Sequence, residues 1–129
     1  MSTKVKANFV FAGVEDDIIL IGFADDEFDT KEHILLQKSL VYDEQDRELG
    51  HYKVHITYID EIYSAYGGIQ KVILKSNSVE IQVDADTAKE LKTEERIEVF
   101  LSNDCDIDNL KYHFNLMFKD ECNIFLSEI

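Results

Sequence analysis

The sequence predicts an α+β fold: a mostly antiparallel β-sheet with one short helix and a C-terminal amphipathic helix packed on one face. Three observations lead there. Short apolar segments alternate with polar residues at period two over much of the chain. Polar turn signals separate them at Gly13–Asp17, Asp60–Glu61 and Ser76–Asn77. Near the end, Ile107, Leu110, Phe114, Met117 and Phe118 recur at helical spacing on one stripe.

Each element has its own signal. Lys4 to Phe11 alternates, with Val5, Ala7, Phe9 and Phe11 on one face, and reads as a single strand with one wet side. Ile18 to Phe23 is apolar at nearly every position, which predicts a second strand covered on both faces and pairing back on the first. Asp25 to Thr30 leaves the sheet as a loop, because aspartate side chains compete with ladder hydrogen bonds. Glu32 to Tyr42 fits either a helix or a strand; the continuing Val41 and Tyr42 favour a long strand. Val54, Ile56 and Tyr58 share one face of the next strand, opposite Lys53, His55, Thr57 and Ile59. Ile62 to Tyr66 returns, and Gly67-Gly68 permits a bulge or a close backbone approach that a Cβ would block. Ile69–Leu74 and Val79–Val83 form a hairpin around Ser76-Asn77. Asp84 or Asp86 caps a short helix through Leu91 with Ala85, Ala88 and Leu91 inward. Ile97, Val99 and Leu101 make a further strand, a helix spans about Asp106 to Phe118, and Asn123 to Ile129 adds an edge strand.

At 129 residues the chain is expected to be one domain, 1–129, with 45% hydrophobic residues to fill a core. Its net charge is −14, which repels nucleic acid and anionic membranes and attracts basic partners. The same charge also serves plain solubility. Cys105 and Cys122 are too few for a disulfide framework. The start, MSTKVKANFV, lacks the apolar core of a signal peptide, and no run approaches membrane-spanning length. The expected location is the cytoplasm.

Some local patterns suggest metal or thiol chemistry and then fail. Asp104, Asp106 and Asp108 have the opening spacing of a calcium loop, but Asn109 and Asn115 stand where Gly and Glu are required; helix capping explains them better. His51 and His55 flank Lys53 on one strand face, and a cation between two ligands is poor metal chemistry. Neither cysteine has a neighbouring His, Arg or second Cys to activate it. No metal, cofactor or catalytic residue is assigned.

Two carboxylate clusters flank the Ile34–Leu36 segment. Asp25, Asp26, Glu27 and Asp29 form the first; Asp43, Glu44, Asp46 and Glu48 form the second. Converging on Mg²⁺, they would suit a metal-dependent hydrolase, but only Arg47 supplies a nearby guanidinium and no glycine-rich phosphate cradle exists. As a solvated face they would serve a structural or oligomer-forming domain. Their aromatic company favours protein binding: Tyr42 beside the clusters, and Tyr63 and Tyr66 in the glycine-rich segment. The expected contact residues are therefore Asp25, Asp26, Glu27, Tyr42, Asp43, Glu44, Asp46, Glu48, Tyr63 and Tyr66.

GFADDEF at 22–28, ILLQ at 34–37, YDEQDRELG at 42–50 and YSAYGGI at 63–69 together resemble the immunity protein 10 family of bacterial polymorphic toxin systems. The resemblance is densest over residues 4 to 83; the last third matches only in pattern. It implies a cytoplasmic bacterial protein, encoded beside a toxin, that binds the toxin domain and blocks it without catalysis or cofactor. Charge adds that the toxin domain is basic; a homodimer stays open.

Overall fold

Among the described residues, period-two alternation produces ten strands, and they divide between two five-stranded sheets where the sequence suggested one. The computed structural model describes residues 2–26, 31–41, 44–48, 53–119, 121 and 123–128. One sheet is an antiparallel meander of β2 (Phe9–Glu15), β3 (Ile18–Ala24), β4 (His33–Ser39), β5 (His55–Tyr58) and β6 (Asp60–Tyr66). The other is mixed. Its order is β1 (Thr3–Ala7), β9 (Arg96–Leu101), β8 (Ser78–Val83), β7 (Ile69–Leu74) and β10 (Phe125–Ser127). β1 runs parallel to β9 and β10 parallel to β7, while β7, β8 and β9 are antiparallel.

The two sheets share one buried cluster. Ile19, Ile21, Phe23, Ile34, Leu36 and Ile56 enter it from the meander, and Val5, Val72, Val79, Ile81, Ile97 and Val99 from the mixed sheet. The helix α3 (Ile107–Met117) completes it: Phe114 stacks on Phe23 at 6.4 Å and on Phe125 at 5.1 Å, joining the meander to β10. Asp106 caps α3 by accepting from Asn109 N–H at 3.1 Å, and Lys38 Nζ donates to Met117 O at 2.9 Å, a cation at the negative end of the helix. The shorter α2 (Ala85–Leu91) is capped by Asp84, which accepts from Thr87 N–H at 2.8 Å.

The hairpin around Ser76-Asn77, both longer helices, β9 and the β10 edge strand lie where periodicity put them. The turn expected at Asp60–Glu61 falls instead at Ile59, with both acids inside β6, and three elements differ more widely. Lys4–Phe11 is two strands in different sheets, broken at Asn8, whose N–H donates to Ala24 O at 2.9 Å and whose amide donates to Asp25 O at 3.0 Å. The break turns the faces over, so Val5 and Ala7 are buried while Phe11 is exposed. Ile18–Phe23 is covered on one side: Ile19, Ile21 and Phe23 are buried, and Ile18, Leu20, Gly22 and Ala24 stay half-buried on the other. Third, β4 stops at Ser39, short of the expected end at Tyr42, which lies outside the described residues; Leu40 N–H donates to Asp17 O at 2.8 Å, and a one-turn helix α1 (Glu44–Glu48) follows.

Left-handed backbone occurs at Ile59 between β5 and β6, at Lys92 after α2, and in two turns of two residues each. Asp16 and Asp17, at φ 51° and 62°, form the two-residue hairpin between β2 and β3, a conformation that suits its right-handed twist. Gly67 and Gly68 sit at φ 77° and 79° and lead from β6 into β7.

Candidate functional site

The two acidic segments leave β4 from opposite ends, the first before His33 and the second after Ser39. The first is closed by its own aspartate. Asp25 Oδ1 accepts from Lys31 N–H at 2.9 Å and Glu32 N–H at 3.2 Å, and Asp25 N–H donates to Glu32 O at 3.1 Å. The bonds from Lys31 and then Glu32 hold the Asp25 carboxyl below its ordinary pKa. Asp25 is thus a clamp that shapes the loop, and Asp26 beside it is exposed. Glu27, along with Asp29, lies outside the described residues.

In the second segment, Tyr42 and Asp43 also lie outside the described residues. Glu44 and Glu48 are exposed on α1. Asp46 belongs to the same helical turn, and its side chain is outside the described part. Tyr66 is 48% exposed at the end of β6, its ring 4.6 Å from that of its cross-strand partner His55. Tyr63 is half-buried on the same strand.

Acidic residues that sequence reading took only as a turn join this surface. Glu15, Asp16 and Asp17 are exposed at the β2–β3 hairpin, and Asp17 O holds Leu40 just before α1. The meander is therefore bounded by carboxylates at both ends of its strands, Asp25, Asp26 and Glu32 at one and Glu15, Asp16 and Asp17 at the other. At the loop end, burial first and the Glu32 charge second push the Tyr58 phenol up.

Elsewhere the polar groups do structural work. Asp104 accepts from Ser102 Oγ at 2.6 Å, and Asp106 is the α3 cap, so the calcium-like spacing serves helix initiation. Cys105 is half-buried, and burial followed by the charges of Asp106 and Asp104 raises its thiol pKa, the opposite of nucleophile activation. His113 is buried in α3, its Nδ1 2.8 Å from Asn109 O. On the outer side of the mixed sheet, Glu80 pairs with Arg96 at 2.7 Å and accepts from Gln82 Nε2 at 2.5 Å. His51 and Cys122 lie outside the described residues. Among the described residues no three His, Cys, Asp or Glu side chains gather as a metal site would require. None of their helices is long and apolar enough to cross a membrane.

Carboxylates thus stand at both ends of the β2–β4 strands, and Tyr63 and Tyr66 lie on β6. Comparison with known families matches residues 5–108 to the model described as immunity protein 10. The match runs past the densest resemblance, through β9 and into the start of α3. No curated protein matches the chain.

Proposed function

The chain belongs to the immunity protein 10 family, and we propose from that membership that it neutralises a cognate bacterial toxin domain by binding it, without catalysis. The family match is the observation that carries this reading. The charge supports it: a net −14 draws a basic domain in and speeds encounter. In this reading the contact residues are Asp26, Glu44 and Glu48, with Glu27, Tyr42, Asp43 and Asp46 from the same segments and Tyr63 and Tyr66 from β6. Asp25 acts by holding its loop closed. No cofactor takes part, and the protein works in the cytoplasm, where an incoming or newly made toxin would act.

The test is protection. The toxin domain encoded in the neighbouring reading frame is expressed in a bacterial host alone and together with this chain. Death in the first case and growth in the second, with a stoichiometric complex on gel filtration, is the expected result. Death in both, with no complex, would remove the proposal.

A further inference from the structure

An antiparallel sheet with one solvated face usually turns polar residues to the water. Two rows of the meander do not. Its register sets Phe11, Gly22 and Leu35 side by side across β2, β3 and β4, with Phe9, Ala24 and His33 in the adjoining row. None of the six is an acid, a lysine or an arginine. Phe11 is 38% exposed, and Phe9 and Leu35 are half-buried.

Gly22 has no side chain, so the first row dips between Phe11 and Leu35. The Phe11 ring is held clear of the dip because it lies along its own strand over Gly13, where an added Cβ would come within 3.2 Å of Phe11 Cζ. The outcome is a shallow depression of about 350 Å³ lined by the six residues together with Phe23 and Ile34. Asp25 and Glu32 follow Ala24 and precede His33 directly at one end, with Asp26 beside them, while Glu15, Asp16 and Asp17 stand at the far end of the same strands, beyond the row of Gly13, Leu20 and Gln37. An apolar patch with a polar margin is the usual form of a protein-binding surface.

The geometry points to this face of the meander as the centre of the toxin contact, and the inference rests on the immunity reading above. The occupant is a basic protein domain that seats an aliphatic or aromatic side chain over Gly22, between Phe11 and Leu35, with Lys or Arg flanking it toward the carboxylate ends. Charge selects this occupant over a second copy of the chain. Two such faces laid together would bring like-charged rims against each other, in a chain of net charge −14.

Gly22→Val tests the face without touching the core. A Cβ at Gly22 meets nothing closer than Leu35 Cδ1 at 3.6 Å, and valine suits a strand. The variant is expected to melt at or above the wild-type temperature. Its affinity for the catalytically inactivated toxin domain of the neighbouring frame, measured by calorimetry, is expected to fall about tenfold or more. Phe11→Ala, which removes one wall, should weaken binding in the same direction. Unchanged affinity in both variants, with wild-type binding intact, overturns the face and leaves the immunity reading standing. A wild-type chain that neither binds nor protects overturns both. Sedimentation of the chain alone supplies the last arm: a dimer that Gly22→Val dissociates would assign the face to self-association and overturn the inference.

Discussion

Gly68 lies directly against Thr87: a Cβ added to the glycine would overlap Thr87 Oγ1 and stand 2.9 Å from Thr87 Cβ. This contact seats α2 at the point where the chain passes from β6 into β7, and Asp84 N–H donates to Gly68 O at 2.9 Å to close it.

Gly68→Ala should therefore destabilise the fold by about 2–4 kcal/mol, combining a left-handed backbone with an overlap that cannot relax. Gly67→Ala should cost less, because its Cβ would meet the flexible end of Lys53 at 2.9 Å. Urea unfolding of the two variants measures the difference; equal losses would mean that backbone strain alone governs both.

Thr57 offers a change of opposite sign. Its hydroxyl is buried on β5 without a hydrogen-bond partner. Thr57→Val keeps the β-branched shape and removes the orphaned group, so stability should rise by about 1 kcal/mol. A lower melting temperature for this variant would show that the hydroxyl is satisfied in solution.

Acid sensitivity follows from three aspartates. Backbone N–H groups of Lys31 and Glu32 lower the Asp25 pKa, Thr87 lowers that of Asp84, and Ser102 lowers that of Asp104. Each folded-state value lies below the unfolded one, so the stabilisation is complete above the ordinary aspartate pKa and is lost as pH falls through the folded values. The melting temperature should hold steady around neutrality and drop below about pH 4. Asp25→Asn should flatten part of that acid limb.

Neutralising Glu44, Asp46 and Glu48 to amides should slow association with the toxin domain and leave dissociation nearly unchanged. The difference should shrink as salt rises, since a Debye length of about 8 Å at physiological ionic strength screens rim charges. Stopped-flow association at two salt concentrations decides it; an unchanged rate at low salt would reduce this segment to solubility. Asp25 is left intact in this experiment, because its loss would open the loop as well as remove a charge.

Period-two alternation located β6 to β10, and capping chemistry located α2 and α3, because those signals are local. The division into two sheets was not legible. Alternation runs unbroken through Val5, Ala7, Phe9 and Phe11, and nothing at Asn8 announces that the first pair faces the core and the second faces out. The apolar outer row of β3 was read as a doubly buried strand for the same reason: hydrophobicity shows that a residue seeks cover and not what provides it. The candidate carboxylates were legible as a charged surface. The clamp role of Asp25 was not, since it depends on Lys31 and Glu32 returning to meet it. The left-handed Ile59 between β5 and β6, at φ 66°, gave no signal at all, being β-branched.

The parallel pairing of β1 with β9 has a consequence for the order in which the protein is made. Every strand of the meander finds its partners among near neighbours in sequence, so that sheet can form while β9 is still unsynthesised. Thr3 must wait for Ile97, which emerges from the ribosome much later. Asn8, fastened to Ala24 and Asp25, keeps the waiting strand tethered at the corner of the finished meander. Refolding should show the same sequence of events, with amides of β3 and β4 protected from pulse-labelled hydrogen exchange before those of β1 and β9. Simultaneous protection would mean that the two sheets condense as one nucleus.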